Sequence, residues 1–143
     1  MTKVLKNTAA GYTESEDYRC LENLQRSFAS LFPVYIGWEN NNPSHLFEPT
    51  ERDNHVPHFV TKGRGRLILE DGEREVGMGD VFYIAPGMKA GYVADDVNPW
   101  SYVWIGYNGV RAQEYSRLAG LSEKQPVRKS GFVDKVANYI EEA

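Results

Sequence analysis

The sequence predicts a mainly β protein whose short strands close into a small barrel or sandwich, and three observations carry that prediction. Residues 64–87 form apolar runs broken at Asp71-Gly72, at Gly77-Met78-Gly79 and at Pro86-Gly87. Asp-Gly between such runs is a strong hairpin signal, because a tight type I′ turn needs positive φ at both central positions. Val81, Tyr83 and Ala85 alternate with Phe82 and Ile84, and Trp100, Tyr102 and Trp104 alternate with Ser101, Val103 and Ile105, the period of a strand with two distinct faces. A closed set of evenly spaced strands can enclose a cavity, and a cavity suggests a ligand.

The elements follow in order. Residues 1–17 are polar and read as a loose arm. Tyr18, Leu21, Leu24, Phe28 and Leu31 then recur every three or four residues, which predicts an amphipathic helix ended by Pro33. Val34–Trp38 reads as a strand, and residues 40–54, rich in Asn, Pro, Ser and Glu, as a long loop of the kind that often acts as a lid. Strands occupy most of 55–107. After Asn108-Gly109 the period turns helical through Ala112, Tyr115, Leu118 and Ala119, with Gly120 placed to cap the C-terminus. Residues 122–131 read as a charged linker, and 132–143 as a helix presenting Val133, Val136, Ala137 and Ile140 on one face. The organisation is therefore an arm and helix over 1–32, a barrel over 33–108, and helices over 109–143.

Composition narrows the function. With 143 residues the chain suits one domain, and 41% hydrophobic and 13% aromatic residues suit a folded, aromatic-rich interior. A net charge of −4, with sixteen Lys and Arg in no basic stripe, argues against this segment binding nucleic acid. One cysteine, Cys20, excludes an internal disulfide and fits a reducing compartment. The sequence shows neither a membrane-spanning apolar run nor a signal peptide, and reads as cytoplasmic.

The residues argue against several chemistries. A barrel metal site needs two neighbouring histidines on one strand, a carboxylate and a third histidine after the Pro-Gly turn. Here His55 and His58 are three apart and so face opposite ways on a strand, and Met88-Lys-Ala-Gly91 follows Pro86-Gly87. No metal or other cofactor is expected. Cys20 has no histidine near it in sequence and no Gly-x-Ser-x-Gly elbow occurs, so no catalytic residue is assigned. Gly63-Arg-Gly-Arg and Gly77-Met-Gly precede no helix and read as barrel corners, not phosphate loops. A sugar site fits better, since it needs charged or amide groups for hydroxyl pairs and a ring against the C–H face. Trp100, Tyr102 and Trp104 share one face of their strand.

A longer series of residues adds a family resemblance. Gly37-Trp-Glu, Arg52-Asp, His58-Phe-Val-Thr-Lys-Gly-Arg-Gly, Gly79-Asp, Pro86-Gly, Pro99-Trp-Ser-Tyr-Val-Trp-Ile-Gly-Tyr and Ala119-Gly-Leu occur in the order of the N-terminal effector-binding domain of AraC-type transcription regulators. Sugar-operon regulators of low-GC Gram-positive bacteria are the nearest pattern, over roughly residues 33–125. The resemblance implies a cupin-like double-stranded β-helix, a jelly-roll barrel with flanking helices, that binds a small carbohydrate. It implies that Trp104 stacks on the sugar, that Tyr92 and Tyr102 contact it, and that Arg52 and Glu39 bond its hydroxyls. His58 and Tyr83 are lesser candidates, and Trp38 and Trp100 read as packing or rim residues. Each has a plainer reading: Tyr102 and Trp104 as core aromatics, Arg52 as a solvated charge, Glu39 as a loop cap, His58 as a structural histidine. Tyr102 departs from the histidine or other group a relative places there, so the sugar's identity does not carry across.

The resemblance further implies that a full family member continues for about a hundred residues into paired helix-turn-helix modules. On that basis the chain reads as a truncated product that meets DNA only through a module it lacks, with helices after the barrel able to form a homodimer. Two alternatives stand beside this reading: a cupin-fold sugar isomerase or epimerase, and a stand-alone oligomerisation module with a filled barrel.

Overall fold

A computed structural model describes residues 12–14, 17–21, 31–131, 135, 136 and 138. The described chain forms eleven strands and a helix over Ala112–Leu118, with Lys135, Val136 and Asn138 also helical. In order they are β1 (Tyr12–Glu14), β2 (Tyr18–Leu21), β3 (Phe32–Asn40), β4 (Leu46–Thr50), β5 (Val56–Lys62), β6 (Arg64–Leu69), β7 (Gly72–Gly77), β8 (Asp80–Ile84), β9 (Ala90–Ala94), β10 (Ser101–Asn108), α1 (Ala112–Leu118) and β11 (Val127–Lys129). A seven-stranded sheet, β1-β2-β3-β10-β5-β8-β11, faces a four-stranded sheet, β4-β9-β6-β7. The strand pairs are antiparallel.

The main core lies between the sheets. Phe82, Ile84, Val56, Val60, Trp100, Tyr102 and Trp104 meet Leu67, Val76, Ala90, Tyr92 and Ala94 there. The alternation in β8 separates as its pattern predicts, for Val81 and Tyr83 join Leu121 in a second cluster on the other side. Val103, Ile105, Phe59 and Trp38 form a third, where Val136 packs. Trp100 is fully buried and donates its indole N–H to Asn41 Oδ1 at 3.0 Å.

Several expectations change. Tyr18–Leu21 is a strand paired with β3, not the start of a helix, and residues 22–30 lie outside the described residues. The loop 40–54 contains β4, and the linker 122–131 contains β11. Both new strands are sheet edges, where proline and short length are tolerated. The β6–β7 turn is centred on Glu70-Asp71, with Leu69 opposite Gly72. Gly72 adopts φ 133°, and Ser44 is the one described non-glycine with positive φ, so the turn is not type I′. The helix after Asn108-Gly109 appears as α1, followed by Gly120 at φ 81°. Val133, Ala137 and Ile140 of the expected last helix lie outside the described residues.

Candidate ligand-binding site

Cross-strand register makes neighbours of residues far apart in sequence. Directly paired residues on an antiparallel sheet point to the same face. One row across the large sheet runs Tyr18, Glu39, Tyr102 and Val60; the next runs Cys20, Gly37, Trp104, His58 and Phe82. Gly37 presents no side chain between Cys20 and Trp104 in this row. Tyr92 on β9 and Phe47 on β4 face it from the small sheet, their rings stacked 4.6 Å apart. The result is a cavity of about 250 Å³.

Of the seven candidates of the sequence analysis, Glu39, Arg52, His58, Tyr92, Tyr102 and Trp104 line this cavity and Tyr83 does not. Tyr102 donates its hydroxyl to Glu39 Oε1 at 2.9 Å. Arg52 is half-buried; its Nη1 donates to the Ala90 carbonyl at 3.3 Å, and its Cζ lies 5.6 Å from the Tyr92 ring centroid. The loop after β4 thus carries a charge that is not fully solvated and has no carboxylate in hydrogen-bond contact among the described residues. Trp104 meets the Tyr18 ring at 5.6 Å and Tyr102 at 5.9 Å. His58 stacks flat on Phe82 at 4.3 Å and stands edge-on to Tyr102.

Burial sets the protonation states. It pushes the Glu39 carboxyl up, and the Tyr102 hydrogen bond only partly opposes it. It pushes the Tyr92 hydroxyl up to about 12, with the Arg52 charge opposing. His58 is forced down to about 3, by burial first and then by the Arg52 charge, against a weaker pull from the backbone of Val56 and Phe82. It is therefore a neutral imidazole, and its Nδ1 has no protein hydrogen bond of acceptable geometry.

Tyr83, a lesser candidate, lies on the opposite side of β8 and bonds His55 instead. Five wall residues come unannounced: Tyr18, Cys20, Tyr35, Phe47 and Val56. Tyr35 had a signal, since 35, 37 and 39 share one face of a strand. A larger groove of about 740 Å³ lies on the outer face of the seven-stranded sheet, lined by Phe59, Val81, Ile105, Leu121 and Val136 among others. Its walls are predominantly apolar, with Tyr107, Tyr115, Arg128, Lys129 and Ser130 as the polar contributors.

Two antiparallel sheets enclosing a polar and aromatic cavity define a small-molecule-binding β barrel. Solved structures agree on the fold. YhaK from Escherichia coli aligns with a TM-score of 0.60 at 10% identity, over 80% of this chain and 52% of that one. A cupin 2 conserved barrel domain protein from Salinispora arenicola aligns at 0.51 and 14% identity, over 71% and 84%. The family model of the AraC-like ligand binding domain matches residues 32–142, and the chain belongs to that family. The Msm operon regulatory protein of Streptococcus mutans is 33% identical over 63% of this chain and 32% of its own. The lactose operon transcription activator of Staphylococcus xylosus is 32% identical over 73% and 37%. The raffinose operon transcriptional regulatory protein of Pediococcus pentosaceus is 29% identical over 79% and 41%. The chain thus spans about a third to two fifths of the length of these relatives.

Proposed function

We propose that the cavity is an effector site for a small neutral carbohydrate, and that the chain is the sensing part of a cytoplasmic regulator of a sugar-utilisation operon. The observation that carries this reading is the convergence of Glu39, Arg52 and His58 with Trp104, Tyr92 and Tyr102 on one cavity. Trp104 offers a ring to a C–H face. Arg52 supplies fixed donors, Glu39 an acceptor, and His58 a neutral ring nitrogen. Among the described lining residues one cation, Arg52, and one carboxylate, Glu39, balance, which suits polyhydroxyl groups better than a phosphate dianion. The cavity of about 250 Å³ opens to solvent, so it seats one sugar ring while further rings of a longer saccharide extend outward. Relatives named for raffinose and lactose operons support the ligand class. DNA contact belongs to segments outside this chain, and the bound state must hold one arrangement of the protein more tightly than another to regulate anything.

A thermal-shift and calorimetric screen of mono-, di- and trisaccharides tests the reading, because a ligand of the native state alone raises stability by mass action. For any saccharide that binds, Trp104→Ala and Arg52→Ala should each weaken affinity by roughly ten- to hundredfold, the equivalent of about 1–3 kcal/mol. A saccharide that stabilises both variants as much as the parent binds elsewhere, and the site assignment fails.

A further inference from the structure

The strands that build the cavity wall carry a second buried polar group on their other side. His55 Nδ1 and the Tyr83 hydroxyl are hydrogen-bonded at 2.6 Å, and the His55 and Tyr107 rings stack 5.2 Å apart and nearly parallel. The backbones of His55 and Tyr107 exchange both hydrogen bonds, at 3.0 and 2.9 Å. The Ser116 hydroxyl hydrogen-bonds the Tyr107 hydroxyl and lies 3.5 Å from His55 Nδ1. Its own proton goes to the Ala112 carbonyl one turn back, at 3.0 Å. Ser116 therefore accepts from Tyr107, and the chain of donors runs from the barrel into α1.

Tyr83 and Tyr107 sit on wall strands and His55 immediately precedes one; His55 and Tyr107 lie within three positions of cavity residues, and Tyr83 is next to a residue packed beneath one. His55 precedes His58 on β5, Tyr83 follows the Phe82 that stacks under His58, and Tyr107 follows Trp104 on β10. The fourth belongs to α1, whose buried residues are Ala112 and Ser116 alone. We propose that His55, Tyr83, Tyr107 and Ser116 form the joint through which the cavity sets the position of helix α1. This deepens the effector-site reading and rests on it. A ligand that shifts the His58 or Trp104 ring displaces strands packed at crystal-like density, which move as units instead of deforming locally. On their far side those strands hold α1 by a small, partly buried hydrogen-bonded set bordering a groove lined by His55, Tyr83 and Ser116. His55, Tyr83 and Tyr107 are positioning residues in this scheme, and Ser116 is the contact that follows them.

The test is a double-mutant cycle read by amide hydrogen exchange, with no ligand added. The full chain is compared with Trp104→Ala, Tyr107→Phe and the double variant, and exchange in α1 is referred to that of β6 in the other sheet. Trp104→Ala should speed α1 exchange on the order of tenfold relative to β6. Tyr107→Phe should do so as well, and adding Trp104→Ala to it should change little further, since the joint is already cut. Should the alanine variant not fold, Trp104→Phe alters the same wall more gently. Additive effects, or an α1 that ignores Trp104 while β10 responds, would overturn the proposal. Saccharide binding plays no part in this measurement, so its failure and a failure of the effector-site reading are separate results.

Discussion

At the scale of single residues, the Glu39–Tyr102 pair shows how closely the cavity depends on each partner. Burial already holds the Glu39 carboxyl above its ordinary range, and the Tyr102 hydroxyl is its donor at 2.9 Å. Tyr102→Phe keeps the ring and its contacts but leaves the carboxylate without that donor. Stability should fall by about 1–3 kcal/mol near neutral pH, read as a lower urea midpoint with an unchanged slope. Glu39→Gln leaves an acceptor for the hydroxyl and removes a buried charge, so its effect should be smaller. Equal losses for the two variants would mean that the carboxylate is solvated through the cavity mouth. Trp104 is decided by a different quantity. It is 8% exposed and part of the core cluster, yet it also bounds the cavity, so the plainer reading of a packing aromatic and the sugar-platform reading describe one ring with two faces.

At the scale of elements, the β6–β7 hairpin carries two glycines that matter for opposite reasons. A Cβ at Gly65 would lie 2.5 Å from the Val93 carbonyl oxygen and 2.6 Å from the Trp100 ring, so it would force the small sheet away from the core. Gly72 has nothing within 4 Å of such a Cβ, but its φ of 133° disfavours any L side chain. Gly65→Ala should exceed the roughly 1–3 kcal/mol of ordinary overpacking, because a backbone oxygen cannot rotate aside. Gly72→Ala should cost about 1–2 kcal/mol, from backbone strain alone. Denaturant midpoints in the reverse order would contradict this account of the hairpin. The same scale explains what the sequence made legible. Alternation marked β8 and β10, and the glycine and proline breaks marked β6 and β7, whereas β5 and β9 were covered only by the general expectation of strands over 55–107. The four residues of β2 satisfy a helical and a strand period alike, and only pairing with β3, some twenty residues on, decides between them. The strand β4 hides behind Pro49, and β11 is three residues long. Legibility of the site divided in the same way. Arg52 and Trp104 were found through the order of family motifs, whereas Tyr18 and Phe47 are ordinary aromatics until register places them on the wall.

At the scale of the whole molecule, the buried histidines make stability depend on pH, and the sign can be worked out. His58 is held at about 3 when folded against an ordinary 6.5, and His55 is lowered in the same direction by burial. Above pH 6.5 both states carry neutral imidazoles and the fold keeps its full stability. Below it the unfolded chain takes up a proton that the folded chain refuses at His58. Stability then falls by up to about 1.4 kcal/mol per pH unit from His58 alone. Glu39 acts the other way: its raised value means the folded state holds its proton more tightly, so it adds stability as pH falls towards 4.5. The two histidines should dominate the first part of the descent, because their loss begins at pH 6.5. Urea midpoints at pH 7, 6 and 5 should therefore fall steadily for the parent chain. In His58→Gln, which keeps a neutral polar group but cannot titrate, the slope should shrink to what His55 leaves, whatever the variant's stability at pH 7. A variant whose midpoint still falls as steeply as the parent's would show that His58 is not the neutral, desolvated group that its place between Phe82 and Tyr102 requires.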